Sequence, residues 1–501
     1  MKIKDIFKNL EISSIYYNKC IDDINEIDIN IELNGLSLNS KECKKDYIFF
    51  ATIGKNTNSH NFIKNAVDNG AFVIIHTEDV EFIPNILYIK VNNIHIAINT
   101  IVSNFYNNPS KNLNIYAITG TNGKTTTAKI IKHILSNFEK TGYIGTLGIE
   151  IGDKKFQDNH LTTPDNIYLN KIIKQMVDEN TKSLAIEISS HSLEQHRCDN
   201  LDIDVAIFSN LTHEHLDFHE NMKNYKNAKL KLFKNIKKSS ISIINIDDKY
   251  AYDFINASNS SKIITFGKKE NSNFQITNIK IFKDNSTFTL IDNLKNKNYE
   301  IFTNLVSEVN VYNLCSAIIA INNLGYDIEK IISHTKNIDL KIGRFQLIKN
   351  DFFNIIIDFA HTPDSFEKVY QFAKTITKDN NKIFTIFGSA GQRDTLKRPL
   401  LGEISDKYCD KIILTEDDYR DENPLNIANE ILEGIKNKEK VNIILDRFLA
   451  IEYAIKNANK NDTILILSKA LDRYIPIDNS EKYWMGDDVA CKEILKKLKK
   501  V

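Results

Sequence analysis

Short, unbroken runs of Ile, Leu and Val recur along this 501-residue chain, and a polar turn and a helical stretch follow each of them. Runs of this length without polar alternation are typical of strands that are buried on both faces of a sheet. Their alternation with helices predicts an α/β fold built on parallel sheets. The clearest runs are NIYAIT (114–119), SLAIEI (183–188), DVAIFSN (204–210), ISIINI (241–246), KIFTIFG (382–388), KIILT (411–415), VNIIL (441–445) and TILILS (463–468).

These runs fall into three groups, and a chain of this length is expected to form about three domains. The predicted domains span residues 1–110, 111–341 and 342–501, with the first boundary near the turn-rich segment NNPSKN (107–112). Repeated strand–helix alternation in the last of them predicts a Rossmann-like α/β domain.

Composition narrows the class of function. The 65 basic and 65 acidic side chains give a formal net charge of zero, whereas a nucleic-acid-binding protein usually has a basic excess, so we expect no nucleic-acid partner. No uncharged apolar stretch approaches the roughly 18 residues of a membrane span, and the N-terminus lacks a signal-peptide core, so we expect a soluble, cytoplasmic protein without a membrane partner. The 6 cysteines show no CxxC spacing, which predicts reduced thiols.

The strongest local pattern is AITGTNGKTTTAKII (117–131), in which a strand, a glycine-containing loop and a helix follow one another. Backbone N–H groups of such a loop, with a helix N-terminus behind it, bind phosphates. Gly120 and Gly123 permit the tight backbone, Lys124 is expected to reach the β- and γ-phosphates, and the Thr125 hydroxyl is expected to bind Mg²⁺.

This loop departs from the common pattern G-x-x-x-x-G-K-[ST], because Ile118 stands where the first glycine would fall. The alternative is a surface turn that happens to contain Gly-Lys. The order of strand, glycines, Lys-Thr and helix favours a phosphate loop, and therefore an ATPase domain within residues 111–341.

Polar residues follow the next two predicted strands. Glu187 ends SLAIEI, and the segment NLTHEHLDFH (210–219) supplies His213, His215, Asp217 and His219. Open α/β sheets bind ligands at the carboxyl ends of their strands, so a Mg²⁺ site beside the phosphate loop is plausible. The alternative is a polar loop whose histidines bond only to the protein.

Together these segments resemble the Mur ligases, the enzymes that build the peptide stem of bacterial cell-wall precursors. The matching motifs occur in family order: GTNGKTT (120–126), E-x-S-S-H (187–191), H-L-D-x-H (215–219), Y-x-x-A-K-x-x-L-F (225–233), VNVYN (309–313), GRFQ (343–346), DFAHTPDS (358–365), FGSAGQRDTLKRP (387–399) and DDYRDENP (417–424). LTTPD (161–165) and SSHSLEQHR (189–197) resemble the family member that adds the third residue, a diamino acid.

The resemblance implies an ATP-dependent acid–amino-acid ligase of peptidoglycan synthesis that acts on UDP-N-acetylmuramoyl-L-Ala-D-Glu through an acyl phosphate. It implies small-molecule substrates, ATP and Mg²⁺ as cofactors, and a monomer. The first domain would bind the uridine nucleotide sugar, the central domain ATP, and the third domain the incoming amino acid.

The resemblance also implies roles for individual residues. ATP would contact Gly120, Thr121, Asn122, Gly123, Lys124, Thr125, Thr126, Asn310, Arg344 and Asp358. The metal ligands would be Thr125, Glu187, His215 and Lys229, the last as a carbamate (N6-carboxylysine) formed with CO₂. Lys124, Glu187, His215 and Lys229 would be the catalytic residues.

Substrate contacts carry over in the same way. The nucleotide sugar and its peptide would contact Leu38, Ser40, Lys55, Asn56, Thr57, Thr162, Thr163, Ser189, Gln195 and Arg197. The incoming amino acid would contact Arg393, Asp417, Asp418, Arg420, Ser468 and Asp472.

The identity of the diamino acid is open at this point. Enzymes that add meso-diaminopimelate usually carry Asp-Asn-Pro-Arg where this chain has Asp417-Asp418-Tyr419-Arg420, and Gly-Lys-Gly-His-Glu where it has Ser-Lys-Ala-Leu-Asp (468–472). Arg420 suits the distal carboxylate of diaminopimelate. The extra acid Asp418 suits a terminal ammonium, so the prediction favours L-lysine slightly, with ornithine or another diamino acid also open.

Three other functions fit parts of the sequence. A folylpolyglutamate synthetase shares the central chemistry, but it lacks a domain equivalent to residues 1–110. A phosphate-loop phosphotransferase or switch would not need the long third domain. A binding paralogue without catalysis would not need the lysines, acid and histidine of the predicted site.

Overall fold

The computed structural model describes residues 3–26, 31–54, 57–156, 161–340, 342–348, 350–477 and 480–499. The N-terminal part of the chain contains α1 Ile3–Ile6, β1 Ser14–Tyr16, β2 Cys20–Ile21, β3 Gly35–Ser37, β4 Tyr47–Phe50, α2 Ile63–Asp68, β5 Ala71–His76, β6 Leu87–Lys90 and α3 Ile94–Phe105.

The central part follows with alternating strands and helices. It contains β7 Asn114–Thr119, α4 Lys124–Leu135, β8 Thr141–Gly145, β9 Gly148–Ile151, β10 Lys154–Phe156, α5 Asn166–Asp178, β11 Ser183–Glu187, α6 Ser190–Glu194, β12 Val205–Phe208, α7 Leu216–His219, α8 Met222–Asn235, β13 Ile241–Asn245, α9 Ala251–Ala257, β14 Lys262–Gly267, β15 Phe274–Ile281, β16 Ser286–Asp292, β17 Lys297–Thr303, α10 Glu308–Asn323 and α11 Ile328–Ser333.

The C-terminal part repeats the alternation. It contains β18 Gln346–Ile348, β19 Asn354–Asp358, α12 Pro363–Ile376, β20 Ile383–Phe387, α13 Lys397–Tyr408, β21 Lys411–Leu414, α14 Pro424–Glu433, β22 Val441–Ile443, α15 Arg447–Asn457, β23 Thr463–Leu467, β24 Tyr474–Ile477, β25 Ser480–Tyr483 and α16 Asp487–Lys497.

The chain divides into two compact units. The first comprises Met1–Ala117, Glu139–Asp204 and Asn235–Lys237, and the second comprises Ile118–Phe138, Val205–Lys234 and Lys238–Val501. The three predicted domains follow a different division, so their boundaries stay a prediction.

In the first unit, six strands form a sheet in the order β2-β1-β6-β5-β4-β3. Neighbours from β3 to β6 run parallel, and β1 runs antiparallel to β6 and β2. The same unit contains the strand order β10-β9-β8-β11, in which β8 and β11 are parallel. Ile and Val side chains of β4, β5 and β6 are fully buried, as continuous apolar strands require.

In the second unit, β12, β13, β14 and β15 pair in parallel, and β15, β16 and β17 continue as an antiparallel meander. A separate sheet has the order β18-β19-β23-β20-β21-β22 and is parallel except for its edge strand β18. The predicted α/β class with parallel sheets is confirmed, and the structure leaves all six cysteines, each of them described, unpaired.

Candidate active site

The phosphate loop connects β7 to α4 at the carboxyl end of the strand. Gly120 and Gly123 have φ values of +147° and +89°, a region that residues with side chains disfavour. A Cβ atom at Gly120 would lie 2.0 Å from Ser209 Oγ, and one at Gly123 would lie 2.4 Å from Asn313 Oδ1. Both glycines are therefore required by backbone conformation and by packing.

The segment after β12 holds this loop in place. Asn122 N donates to Asn210 Oδ1 at 2.9 Å, and Thr121 N donates to Asn210 O at 2.8 Å. The hydroxyls of Thr121 and Tyr225 lie 3.2 Å apart. The first N–H groups of α4 have no carbonyl within the helix to bond, and such groups bind phosphate. The turn and the start of α4 contain all the predicted loop residues: Gly120, Thr121, Asn122, Gly123, Lys124, Thr125 and Thr126.

Two lysine amines reach one carbonyl of the loop. Lys124 Nζ donates to Gly120 O at 2.9 Å and to Thr121 O at 2.7 Å. Lys229 Nζ, from α8, donates to Gly120 O at 2.8 Å, although Lys229 is only 1% exposed. Burial, and after it the charge of Lys124, holds the pKa of Lys229 well below its ordinary value. Lys229 is therefore a buried amine disposed to be neutral.

A buried carboxylate lies beside the predicted metal ligand His215. Glu214 Oε1 lies 2.9 Å from His361 Nε2, and Glu214 Oε2 lies 3.6 Å from His215 Nε2. Burial raises the pKa of Glu214, but His215, His361 and Lys124 outweigh it and hold the pKa well below its ordinary value. Glu214 is therefore an ionised group of the site that the sequence analysis did not single out.

Residues of the C-terminal sheet region contact this loop region at two further points. Asn122 Nδ2 donates to Asp364 Oδ2 at 3.1 Å, and His213 Nε2 lies 3.1 Å from Asp394 Oδ2. Together with the Glu214–His361 contact, these bonds bring the segments after β19 and β20 to the phosphate loop.

Asp358 ends β19 and is buried. Its Oδ2 accepts from Phe345 N and its Oδ1 from Ala360 N, both at 2.7 Å. Burial raises the pKa of Asp358, and the nearby guanidinium of Arg344 opposes that rise. Arg344 also lies over the ring of Phe359, 4.3 Å from its centroid. The two predicted nucleotide contacts thus lie together.

Asn310 lies in α10 and bonds within the protein. Its amide donates to Val306 O at 2.9 Å, and its oxygen accepts from Asn313 Nδ2 at 3.2 Å. Asn313 Oδ1 in turn accepts from the Thr127 hydroxyl at 3.3 Å and packs against Gly123. The predicted base contact is therefore linked to the phosphate loop through Asn313, the last residue of VNVYN, to which the sequence analysis assigned no role.

In the first unit, Glu187 ends β11 with no exposed surface. Its carboxylate accepts from Tyr143 Oη at 2.6 Å, from Thr146 N at 3.0 Å and from Thr146 Oγ1 at 3.2 Å. The strand-end position predicted from the sequence is correct. Tyr143 and Thr146 carry no motif of their own, so sequence reasoning missed them.

The predicted peptide contacts of the same unit lie around this strand end. Thr163 Oγ1 donates to Glu187 O at 2.9 Å, and Arg197 Nη1 donates to Thr163 O at 3.0 Å. Arg197 also donates to Gln195 Oε1, and Ser189 caps α6 by accepting from Ser192 N. The structure thus brings Thr163, Gln195 and Arg197 together.

The predicted uridine contacts lie in the N-terminal part of the first unit. Ser40 begins a short 3₁₀ turn that Asn39 caps, Leu38 is half-buried and Thr57 is exposed. Lys55 and Asn56 lie outside the described residues.

In the predicted amino-acid site, a buried lysine lies among carboxylates. Lys469, 1% exposed, donates to Asp418 and lies 3.5 Å from Asp472 Oδ2. Burial and the neighbouring Asp417 raise the pKa of Asp418 to about 6 despite this ion pair. Ser468 Oγ accepts from Gly388 N at 3.4 Å. Asp418, the extra acid of this sequence, therefore has an ion-pair partner within the protein.

Two arginines lie at the same site. Arg420 Nη1 donates to Gly391 O at 2.6 Å, and Gly391 N donates to Asp418 O at 2.9 Å. Arg393 is exposed. Burial lowers the pKa of Arg420, and the positive charge of Arg393 is the second cause of that shift. Two guanidiniums at one site suit a ligand with carboxylate groups.

The predicted metal ligands belong to different chemical types. Within the described ranges, no group of three or more His, Cys, Asp or Glu side chains is placed to hold a metal ion. The predicted set instead combines the Thr125 hydroxyl, the Glu187 carboxylate, the His215 imidazole and a carbamate on Lys229, in which oxygen predominates as Mg²⁺ prefers. An unmodified Lys229 amine supplies no oxygen ligand, so the metal prediction depends on the carbamate.

Comparison with known proteins identifies the family. The family model of the Mur ligase middle domain matches residues 118–321, and that of the Mur ligase glutamate ligase domain matches residues 343–470. The UDP-N-acetylmuramoyl-L-alanyl-D-glutamate–2,6-diaminopimelate ligase of Aquifex aeolicus is 39% identical over 92% of this chain and 94% of its own length.

Solved structures show the same fold. A structure of a ligase with that name has a TM-score of 0.67 and 26% identity, and the match covers 95% of this chain and 98% of the other. A folylpolyglutamate synthase of Mycobacterium tuberculosis, solved with ADP and AMPPCP, has a TM-score of 0.61 and 12% identity, and the match covers 74% of this chain and 92% of the other.

Across the part of the chain that the structure describes, no helix combines the length and apolar character of a membrane span. The long matches in sequence and structure, and the glycine loop with its two lysines, agree on one assignment. The chain belongs to the Mur ligase family and is an ATP-dependent ligase.

Proposed function

We propose that this enzyme adds 2,6-diaminopimelate to UDP-N-acetylmuramoyl-L-Ala-D-Glu in the cytoplasm, as a monomer, during peptidoglycan synthesis. The observation that carries the proposal is the phosphate loop, where Lys124 and the buried Lys229 converge on Gly120 O. The relatives named as 2,6-diaminopimelate ligases match this chain over nearly its whole length, which supports the substrate.

In the first step, the glutamyl carboxylate attacks the γ-phosphate of ATP, and ADP leaves. Two anions approach each other in this step, so positive charge must lie at the γ-phosphate. Lys124 supplies that charge once it turns from its own loop carbonyls to the phosphate. Thr125, Glu187, His215 and the Lys229 carbamate would hold Mg²⁺, which would supply further positive charge beside the phosphates.

The Lys229 carbamate forms when its neutral amine attacks CO₂ and releases one proton. The buried amine beside Gly120 O supports this chemistry, because only an unprotonated lysine is a nucleophile. The product places an anion in the region where the metal is proposed to bind.

In the second step, the amine of the incoming amino acid attacks the acyl phosphate carbonyl, and phosphate leaves. Water would hydrolyse the same intermediate, so the C-terminal segments must exclude it. We propose that Arg344 and Asp358 contact the nucleotide, and that the Glu214–His361 contact holds these segments at the loop.

The choice of diaminopimelate over L-lysine depends on the charges of the amino-acid site. The prediction of lysine treats Asp418 as a free acid, but Lys469 is its ion-pair partner. Arg393 and Arg420 provide two guanidiniums, which suit the two carboxylates of diaminopimelate, whereas lysine has one. Lysine remains the second candidate because Asp472 lies at the edge of the same site with its side chain 45% exposed.

The remaining substrate contacts are proposed for the first unit. Thr162, Thr163, Ser189, Gln195 and Arg197 would bind the sugar and peptide, and Leu38, Ser40, Lys55, Asn56 and Thr57 would bind the uridine nucleotide. The hydroxyl, amide and guanidinium groups among them suit those polar ligands.

The test supplies ATP, Mg²⁺ and UDP-N-acetylmuramoyl-L-Ala-D-Glu with diaminopimelate, lysine or ornithine, and follows phosphate release and tripeptide formation. We expect release that requires both acceptor and amino acid, and that is fastest with diaminopimelate. Arg420→Lys serves as the matched variant, because it keeps the charge but loses the bidentate geometry. ADP formation without either substrate would contradict the ligase, and a preference for lysine would contradict the amino acid.

A further inference from the structure

We propose that Thr146 is a positioning residue that ties the orientation of the Glu187 carboxylate to occupation of the peptide site at Thr162. The inference rests on the proposed function, because Glu187 and Thr162 are a metal ligand and a peptide contact only within that function. It adds a residue and a coupling that the motifs do not contain.

Tyr143 and Thr146 donate to the Glu187 carboxylate. Tyr143 Oη and Thr146 N both donate to Oε1, at 2.6 Å and 3.0 Å, while Thr146 Oγ1 donates to Oε2 at 3.2 Å. One residue, Thr146, therefore holds both oxygens. Groups that orient a metal ligand in this way tune its affinity for the metal.

The loop backbone is shaped around this carboxylate. A Cβ atom at Gly145 would lie 2.1 Å from Glu187 Oε1 and 2.5 Å from Tyr143 Oη. Because no side chain fits there, the peptide unit that carries Thr146 N can approach the carboxylate closely. The contact between Thr146 and Glu187 is therefore built into the turn between β8 and β9.

The direction of the hydrogen bonds follows from the proton count. A carboxylate only accepts, so the single hydroxyl proton of Thr146 goes to Glu187 Oε2. Thr146 Oγ1 also lies 3.2 Å from Thr162 Oγ1. Since the Thr146 proton is already used, Thr162 must be the donor in that second bond. The order of donation is Thr162 to Thr146 to Glu187.

A peptide ligand that accepts a hydrogen bond from Thr162 competes for the proton that Thr162 gives to Thr146. Serial hydrogen bonds strengthen one another, so loss of the first weakens the second. Glu187 Oε2 then interacts less with Thr146 and is freer to bind a metal. Dipeptide binding should therefore increase metal affinity, and by reciprocity metal should increase dipeptide affinity by the same factor.

The experiment measures Mn²⁺ binding by electron paramagnetic resonance, in the presence of a non-hydrolysable ATP analogue, with and without UDP-N-acetylmuramoyl-L-Ala-D-Glu. We expect the dipeptide to tighten Mn²⁺ binding about fivefold in the wild-type enzyme, the lower end of common coupling energies. Thr146→Val, which removes the hydroxyl and keeps the shape, should reduce that factor to below about twofold.

Further variants distinguish a specific loss of coupling from a general disturbance of the structure. Thr146→Ser restores a hydroxyl and should restore the wild-type factor. Tyr143→Phe removes a donor that is not bonded to Thr162, so any change in Mn²⁺ affinity should be the same with and without the dipeptide, and the factor should be kept. Thr162→Val combined with Thr146→Val should lose no more coupling than either change alone, because both interrupt one chain. Thermal unfolding confirms that each variant is folded.

The outcomes distinguish this inference from the proposed function. A wild-type enzyme without dipeptide-dependent Mn²⁺ binding, or a Thr146→Val enzyme with the full wild-type factor, overturns the coupling even if ligase activity is intact. A Thr146→Ser variant that behaves like Thr146→Val also overturns it. Failure of the wild-type enzyme to form tripeptide contradicts the proposed function instead.

Discussion

At the scale of single residues, Lys229 shows how burial changes the meaning of a side chain. The segment YKNAKLKLF (225–233) contains three lysines and, without the family resemblance, is typical of a solvated helix face. In the structure Lys229 is 1% exposed and its amine donates to Gly120 O. Sequence spacing cannot distinguish Lys229 from its neighbours, because only the packing of α8 on the loop decides which lysine is buried.

The carbamate predicts a chemical rescue. Lys229→Ala should lower kcat by about 100-fold or more, as the loss of a charge-stabilising group does, and millimolar acetate should restore part of it by occupying the vacated space. Lys229→Arg is the matched control, since arginine cannot form the carbamate and leaves no space. Activity assays with and without acetate measure both. Full activity of Lys229→Ala, or equal rescue of both variants, would contradict the carbamate.

Asp418 predicts a pH-dependent stability. An unfolded aspartate titrates near 3.8, whereas burial and Asp417 raise the folded pKa to about 6, so the folded state binds the proton more tightly. The stabilisation from this group is therefore present below pH 4 and is lost as pH rises through 6. The Asp418→Asn variant has no titrating carboxyl at this position, so it does not lose this stabilisation as pH rises.

The measurement is urea unfolding of both proteins at pH 5 and pH 8. From pH 5 to pH 8, the free energy of unfolding of Asp418→Asn should improve relative to the wild type by about 1 kcal/mol, a discounted value because Asp418 is partly exposed. Asp406→Asn is the control, because the pKa of Asp406 is lowered, so this carboxyl is ionised in both the folded and the unfolded state and its difference should not change between pH 5 and pH 8. If the difference in unfolding free energy between Asp418→Asn and the wild type is the same at pH 5 and pH 8, the pKa shift is refuted.

At the scale of elements, the phosphate loop requires glycine at Gly123. Gly123→Ala would bring a Cβ atom within 2.4 Å of Asn313 Oδ1 at a φ of +89°. Gly325→Ala has a similar φ of +101° but nothing within 4 Å, so it isolates the backbone strain of about 1–2 kcal/mol. We expect both variants to lose stability and only Gly123→Ala to lose binding of an ATP analogue, measured by calorimetry. If Gly123→Ala bound the ATP analogue as tightly as the wild type, the assignment of the phosphate loop would be contradicted.

The elements that the sequence predicts best are the buried parallel strands. NIYAIT is β7, and the seven other runs each correspond to a strand within one or two residues of the predicted ends. The meander β15–β17 was missed, because its residues alternate between buried and exposed and its polar positions hide the pattern. Short strands such as β18 and β25 are too short to show any period.

The site was predictable where a motif fixes the chemistry locally. The phosphate loop and Glu187 at its strand end follow from patterns within a few residues. Glu214, His361, Thr146 and Asn313 do not, because their roles come from contacts between segments far apart in sequence. The ion pair between Asp418 and Lys469 also joins segments that are far apart in sequence. It changes the proposed substrate from L-lysine to diaminopimelate.

At the scale of the whole molecule, the second unit joins the loop region to the C-terminal sheet through the Glu214–His361 contact of 2.9 Å. A double-mutant cycle of Glu214→Gln and His361→Ala should give a coupling energy of about 1–3 kcal/mol in unfolding, because the Glu214 side chain is only 10% exposed. The exposed pair Lys174–Asp178 is the control and should couple by less than about 0.5 kcal/mol. Additive effects at Glu214 and His361 would contradict a structural link.

The central claim is that ATP activates a carboxylate of the acceptor as an acyl phosphate. UDP-N-acetylmuramoyl-L-Ala-D-Glu labelled with ¹⁸O in its glutamyl carboxylates tests this claim most directly, with mass spectrometry of the phosphate released during turnover with ATP and diaminopimelate. The account predicts that each tripeptide formed transfers one ¹⁸O atom to phosphate, because the carboxylate oxygen that attacks phosphorus leaves with it. Tripeptide formation with unlabelled phosphate would contradict it.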